Sequence, residues 1–389
     1  MKPSRFRALL ELLLGVWFLL PSCSFGQSEL PLPSHSRLGV IGQILDHIED
    51  KKIILIGERH HSDTVTGNFH KALVEALIAQ NEDIFILSEI AFYTSSFIVD
   101  ADRSMDTTRA SAEGEWLKHL ARARKTPYSG LDCAISIRSD KDIIALAKQC
   151  GFFDALVSSP SWNAWLTQFK LLPTTKWTKS SIKEYLVACE KLHHHIDQIG
   201  NKVCDLEYIH RYIRSTSDNL YFDVNYWQRA IKQRRMTLSL NNYRDSTMAS
   251  NAEYFIRTSK PETKFVILMS NYHIMRNVTS IESGIGEKKS RIKTTADWLF
   301  EKYGDQIYSI ATINYKDMHE RIHDLPAEKS GRSEASIEHE LSRTCTETPC
   351  FIDISQDEGS WIMSPTFRKK NLKAPWGQIY DGLLFFKEL

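Results

Sequence analysis

Unbroken apolar runs recur along the chain, each closed by glycine or polar positions. Ile53-Ile54-Leu55-Ile56, Ile84-Phe85-Ile86-Leu87 and Phe265-Val266-Ile267-Leu268-Met269 show no alternation, the pattern of strands covered on both faces. A short strand is predicted in TPYSGLDC, ending in Gly130 and Asp132, and others in QIYSIATIN, CFIDIS and YDGLLFFKEL. Between the first two runs, Phe69, Ala72, Leu73, Ala76 and Leu77 share one face of a helix from about Asn68 to Gln80. Another helix is expected around Leu38 to Glu49, and from about Asp140 to Phe255 the sequence is mostly helical. Strands alternating with helices predict an α/β fold with a mostly parallel central sheet and flanking helices. The helical insertion, about 140–240, reads as a cap on a domain spanning 28–389.

The ends of the apolar runs are chemically unusual. The first closes in Gly57, Glu58, Arg59, His60 and His61, the second in Ser88 and Glu89, and the third in Ser270, Asn271, Tyr272 and His273. Gly57 is expected to let the backbone turn. In open parallel sheets, sites lie in the crevice beyond the carboxyl ends of the strands. Carboxylates and imidazoles at successive strand ends therefore point to one shared crevice. Later in the helical region, Trp227, Ile231, Leu238, Met248 and Phe255 form an apolar stripe. Arg244 and Asp245 stand four and three residues before Met248, beside that buried face, where charges need partners. A structural ion pair between helix and sheet is the alternative to a role in chemistry.

Composition narrows the choice of function. A formal net charge of +1 offers no electrostatic case for nucleic acid, and the basic spot at Arg234 and Arg235 reads as a solvated helix face. The N-terminus follows a signal-peptide plan over residues 1–26: Lys2, Arg5 and Arg7, then an apolar core from Ala8 to Leu20, too short for a membrane span. LPSC, ending at Cys23, is similar to a lipobox and implies a lipidated Cys23 as membrane tether; cleavage before Gln27 is the alternative. Either outcome makes the protein exported: a periplasmic or membrane-anchored lipoprotein, or a secreted one. Six cysteines follow (Cys133, Cys150, Cys189, Cys204, Cys345 and Cys350), and in an exported chain an even count permits disulfides. Cys345 and Cys350 are the expected local pair, with free buried thiols as the alternative.

GERHH, LSE, YRDSTMASN, SNYH and YDGLLFF together resemble, in order and spacing, the erythromycin esterase-like family. That family belongs to a wider fold group with ChaN-like haem-uptake lipoproteins and TraB/Tiki metalloproteases. Gly57, Glu58 and His61 match its Gly-Glu-x-x-His motif, and Glu89 matches the acidic residue of its second strand. Gly130 and Asp132 match its Gly-x-Asp; Arg244, Asp245, Met248, Ala249 and Asn251 match its Arg-Asp-x-x-Met-Ala-x-Asn helix; Asn271 and His273 match its later histidine strand. Ser62, Val65 and Ser270 depart from the family, which has Gly, Glu and His at those places. His60 competes with His61, because the ChaN-like and TraB-like members place His two residues after the Glu.

The resemblance implies hydrolysis of a small-molecule ester or lactone by histidine-activated water, without metal or cofactor. Imidazole is the natural base near neutral pH. On this reading His61 is the base, Glu58 or Glu89 orients it, and Arg244 and His273 stabilise the developing oxyanion. Asp132, Asp245, Asn271 and His60 support them. No Gly-x-Ser-x-Gly elbow occurs, which disfavours a serine hydrolase. The competing reading is a ChaN-like lipoprotein that binds haem or metal without hydrolase activity, with His60, Tyr272 and Met275 as axial-ligand candidates. His193, His194 and His195 read as a solvated helix end, since consecutive helical residues diverge. Tyr93, Trp162, Trp165, Trp177 and Trp227 are candidates to line a cleft, with core packing as the alternative.

Overall fold

The computed structural model describes residues 37–59, 64–80, 83–91, 126–132, 150–171, 179–199, 207–211, 213–214, 238–282, 292–316, 334–346, 349–364 and 372–388, with a few isolated positions between 116 and 148. The signal segment, His60, His61, Tyr93, Trp177 and Trp227 lie outside them. The elements in order are α1 (Arg37–His47), β1 (Ile53–Glu58), α2 (Thr64–Gln80), β2 (Ile84–Ala91), β3 (Tyr128–Asp132), α3 (Phe153–Val157), α4 (Pro160–Leu171), α5 (Lys179–Ile199) and α6 (Leu238–Thr258). After these come β4 (Lys264–Ser270), α7 (Thr295–Tyr303), β5 (Ile307–Lys316), α8 (Ile337–Thr344), β6 (Cys350–Asp353), β7 (Ser360–Met363), β8 (Leu372–Pro375) and β9 (Gly382–Glu388).

Seven strands form one sheet in the order β3-β2-β4-β1-β5-β9-β6. All neighbours are parallel except β6, which pairs antiparallel with β9 at the edge. The unbroken apolar runs sit at its centre: Ile53 to Ile56 and Phe265 to Met269 are all buried. Each such side chain contributes about 1.5–3 kcal/mol relative to exposure. The order also explains the helix layers. From β1 to β2 the chain moves toward one edge of the sheet, and from β3 to β4 and β4 to β5 toward the other. Right-handed crossovers then put α2 on one face and α6 with α7 on the opposite face. Accordingly α1 packs on α2, and α6 on α7.

The α/β expectation holds, and α3 to α6 do fall between β3 and β4. A β7–β8 hairpin was not foreseen, because four-residue strands carry too little periodicity. Trp162 and Trp165 are core residues rather than cleft residues. Their rings meet tilted at 5.1 Å, Trp165 stacks on Phe169 at 4.7 Å, and all three are buried in α4. Of the three consecutive histidines, His193 departs most from a solvated helix end: its Nδ1 lies 2.7 Å from His210 Nδ1, while His195 Nε2 lies 3.5 Å from Ala155 O. Burial first, and the His210 charge second, push the His193 pKa down to about 4.

For the cysteines the structure shows the alternative of buried thiols. Cys345, the C-cap of α8, and Cys350, the first residue of β6, are buried thiols outside any disulfide, hydrogen-bonded to each other. In this state they pack as small apolar groups. Cys189 is likewise a buried thiol outside any disulfide, whereas Cys150 is disulfide-bonded.

Candidate functional site

Glu58, Glu89, Asp132 and Ser270 occupy the carboxyl ends of four adjacent parallel strands, β1, β2, β3 and β4. Glu58 stands opposite Ser270, and its carbonyl accepts from Asn271 N at 2.8 Å. Glu89 belongs to β2 itself, within a register shift between Ser88 and Ala91. Such an irregularity re-aims a side chain at the end of a ladder. Here it points the Glu89 carboxylate at the neighbouring helix, while Oε2 accepts from Ser270 N at 2.8 Å.

The helix answers with Arg244. Its Nε donates to Asp132 Oδ1 at 3.0 Å and its Nη2 to Asp132 Oδ2 at 2.5 Å, a two-point fork on one carboxylate. Nη2 also donates to Glu89 Oε1 at 2.6 Å. Burial works against the guanidinium charge, and Asp132 and Glu89 more than restore it, so its pKa stands well above the usual value. The rest of the motif follows helical geometry. Met248 and Ala249 are buried, and Asn251 Nδ2 donates to Leu131 O at 2.9 Å, which ties α6 to β3. Residues 244, 245, 248 and 251 thus share the face turned to the sheet.

His273 sits between two carboxylates. Its Nδ1 is 2.7 Å from Asp245 Oδ1 and its Nε2 is 3.2 Å from Glu89 Oε1. Burial disfavours its charged form, yet Asp245 and Glu89 outweigh both burial and the nearby Arg244 charge. The pKa is pushed up to about 10, so the ring is an imidazolium at neutral pH. Nδ1 then donates to Asp245, and Nε2 faces Glu89 Oε1 as an ion pair. Arg244 Nη1 stands 3.1 Å from Nε2, which accepts that N–H when the ring is neutral. Asp245 Oδ1 also accepts from Thr295 N and Thr295 Oγ1, each at 2.8 Å, and Ala296 N donates to His273 O at 3.0 Å. The first turn of α7 thereby holds the Asp245–His273 pair, using donors that a helix start leaves unsatisfied.

Asn271 shapes the sheet side. Its Oδ1 accepts from Thr312 N at 3.1 Å, its Nδ2 donates to Thr312 O at 2.6 Å, and its own carbonyl accepts from Tyr380 Oη at 3.1 Å. The side-chain amide takes the place of a peptide group on β5 beyond the end of β1. Gly57 makes this possible: a Cβ there would stand 2.6 Å from Ile274 Cδ1 and nearer still to Asn271 Oδ1. The expected turn at Gly57 is thus corrected. Gly57 lies inside β1, is not among the positive-φ glycines, and is needed for close approach.

The structure therefore brings Glu89, Asp132, Arg244, Asp245 and His273 into one bonded cluster, with Glu58 and Asn271 on the adjoining strand ends. His60 and His61 follow Glu58 in sequence but fall outside the described residues. Sequence reasoning missed Thr295 and also Arg59, whose Nη1 donates to Asn314 Oδ1 at the end of β5. Position after β1 was the available signal for Arg59; nothing local marks Thr295. Tyr272 packs edge-on against His273 at 5.3 Å, and burial followed by the Asp245 charge pushes its hydroxyl up to about 12. Met275 is a buried core residue. Among the described residues, no group of three or more His, Cys, Asp or Glu side chains is placed to hold a metal ion. Among them also, no helix is long and apolar enough to cross a membrane.

No protein-family profile and no curated protein sequence matches the chain. Solved structures do. A structural-genomics protein from Bacillus cereus superposes with a TM-score of 0.65 at 13% identity, covering 92% of this chain and 94% of its own. A histidine-to-asparagine mutant of erythromycin esterase EreC, in its open conformation, gives 0.64 at 15% identity over 88% and 92%. A succinoglycan biosynthesis protein gives 0.59 at 11% identity over 92% and 94%. The chain therefore shares its fold with an erythromycin esterase along nearly the whole length of both.

Proposed function

We propose that this protein hydrolyses ester or lactone bonds of a small-molecule substrate at the carboxyl ends of β1 to β4. The observation that carries this reading is Arg244, fixed by Asp132 and Glu89 beside the imidazolium of His273, on a fold shared with an esterase. Hydrolysis needs a base to take a proton from water, and positive charge where the carbonyl oxygen becomes an oxyanion. His273, charged at neutral pH, suits the second task and not the first. Arg244, beside the same ring, adds a second positive charge. The base is assigned to His61, with Glu58 orienting it, through the match to Gly-Glu-x-x-His. The enzyme is assigned to the cell exterior or periplasm, tethered through lipidated Cys23, on the pattern of its first residues.

The test is a screen of carboxylic esters and macrolide lactones, with and without chelator. The wild type, His61→Ala and His60→Ala are compared. Loss of the base costs on the order of a hundredfold or more in rate. His61→Ala is expected to show that loss with folding retained, His60→Ala far less, and chelator little. A dead His60→Ala variant, or activity that tracks added metal, overturns the assignment. A Soret band on haem addition, with no turnover of any ester, moves the protein to the ligand-binding class.

A further inference from the structure

Two thiols lie together at the far edge of the sheet, on elements that carry none of the cluster around Arg244. Cys345 ends α8, its backbone N donating to Leu341 O at 2.8 Å, and Cys350 opens β6 opposite Phe385 of β9. Both are 1% exposed, and their side chains are hydrogen-bonded to each other. That bond places the two sulfurs within reach of each other once the fold is complete. A second observation concerns redox environment. Cys150 is disulfide-bonded in the same chain, and structural disulfides belong to proteins matured in oxidising compartments.

We propose that Cys345 and Cys350 are an oxidative cross-linking site, closed to a disulfide when the chain matures beside a disulfide oxidant. One thiolate attacks the oxidant and releases one thiol; the second thiolate attacks the mixed disulfide and releases the other. Two S–H bonds are lost and one Sγ–Sγ bond forms. Two electrons and two protons pass to the oxidant, which ends as two thiols. Because both sulfurs are buried once α8 and β6 are in place, closure belongs to folding, before those elements dock. The cross-link joins the end of α8 directly to the antiparallel edge strand, β6, and the proposal does not depend on the hydrolase reading.

Trypsin leaves both cysteines on one peptide, Thr344 to Arg368. The full chain is unfolded, refolded with oxidised glutathione, alkylated under denaturing conditions, digested and weighed. The expected peptide carries no alkyl label, is lighter than the dithiol by two hydrogens, and takes two labels after reduction. In the Cys345→Ser variant, Cys350 is expected to become alkylated under the same conditions. Two labels on the wild-type peptide, in a sample where Cys150 is protected, overturn the proposal. So does a Cys350 that stays protected in Cys345→Ser, because its partner is then another cysteine.

Discussion

The side chain of Asn271 crosses Gly57 to reach Thr312, and it can do so only because residue 57 has no Cβ. This crossing places the segment after β4, and with it His273, against the end of β1. A methyl at 57 forces Asn271 off Thr312, leaving a buried N–H and C=O without partners. Gly57→Ala is expected to destabilise the fold by about 2–3 kcal/mol, an overpacking cost. Denaturant titration checks the loss. In a double-mutant cycle with Asn271→Ala the two effects should add to less than their sum.

Arg244 is the only cation bonded to both Asp132 and Glu89 among the described hydrogen bonds. Arg244→Ala takes from Asp132 and Glu89 the guanidinium they share, and breaking such a buried pair costs about 3–5 kcal/mol. Arg244→Lys keeps the charge but loses the fork, so it should recover part of the stability and little rate. The rate loss expected for either variant is on the order of 10²–10³ in kcat, as for a removed oxyanion donor. Wild-type turnover by Arg244→Lys would separate this residue from the chemistry.

His273 ties stability to alkaline pH. Its folded pKa of about 10 lies above the ordinary 6.5, so its charge stabilises the fold fully below 6.5. That contribution declines as pH rises from 6.5 and is lost through about 10. Unfolding free energies measured across this window should fall with pH in the wild type. The His273→Gln protein should show a shallower slope, and equal slopes would refute the charge assigned to the ring.

Glu338, in the first turn of α8, gives a second pH signature. Burial raises its pKa from 4.5 to about 7, while Oε1 accepts from Ser364 N at 2.6 Å. The folded pKa again exceeds the unfolded one, so its contribution is present below 4.5 and lost as pH rises through about 7. Glu338→Gln keeps the acceptor and removes the charge. It is expected to match the wild type near pH 5 and to melt at higher temperature near pH 8. A lower melting temperature at pH 8 would refute this.

Localisation is checked at the mature N-terminus. Mass spectrometry is expected to find lipidated Cys23. A chain beginning at Gln27 rejects the tether, and an intact Met1 rejects export.

The strands, their bounding polar residues and the helical phase of Arg244 and Asp245 were legible in the sequence. Each is a local property: an apolar run needs cover on both faces, and a helix repeats every 3.6 residues. The chemistry at the ends of β1, β2 and β4 was therefore readable residue by residue. Its wiring was not. Arg244 meets Asp132 across 112 residues and Glu89 across 155, and the order β3-β2-β4-β1 that makes them neighbours is a property of chain crossovers, not of any one run. Thr295 is an ordinary threonine until α7 docks on α6 and turns its donors toward Asp245. The pKa of His273 rises, against the effect of burial, because folding sets the ring between Asp245 and Glu89. Gly57 looked like a turn and is a strand residue, since what demands glycine there is Asn271, 214 residues later, and steric contact exists only in three dimensions.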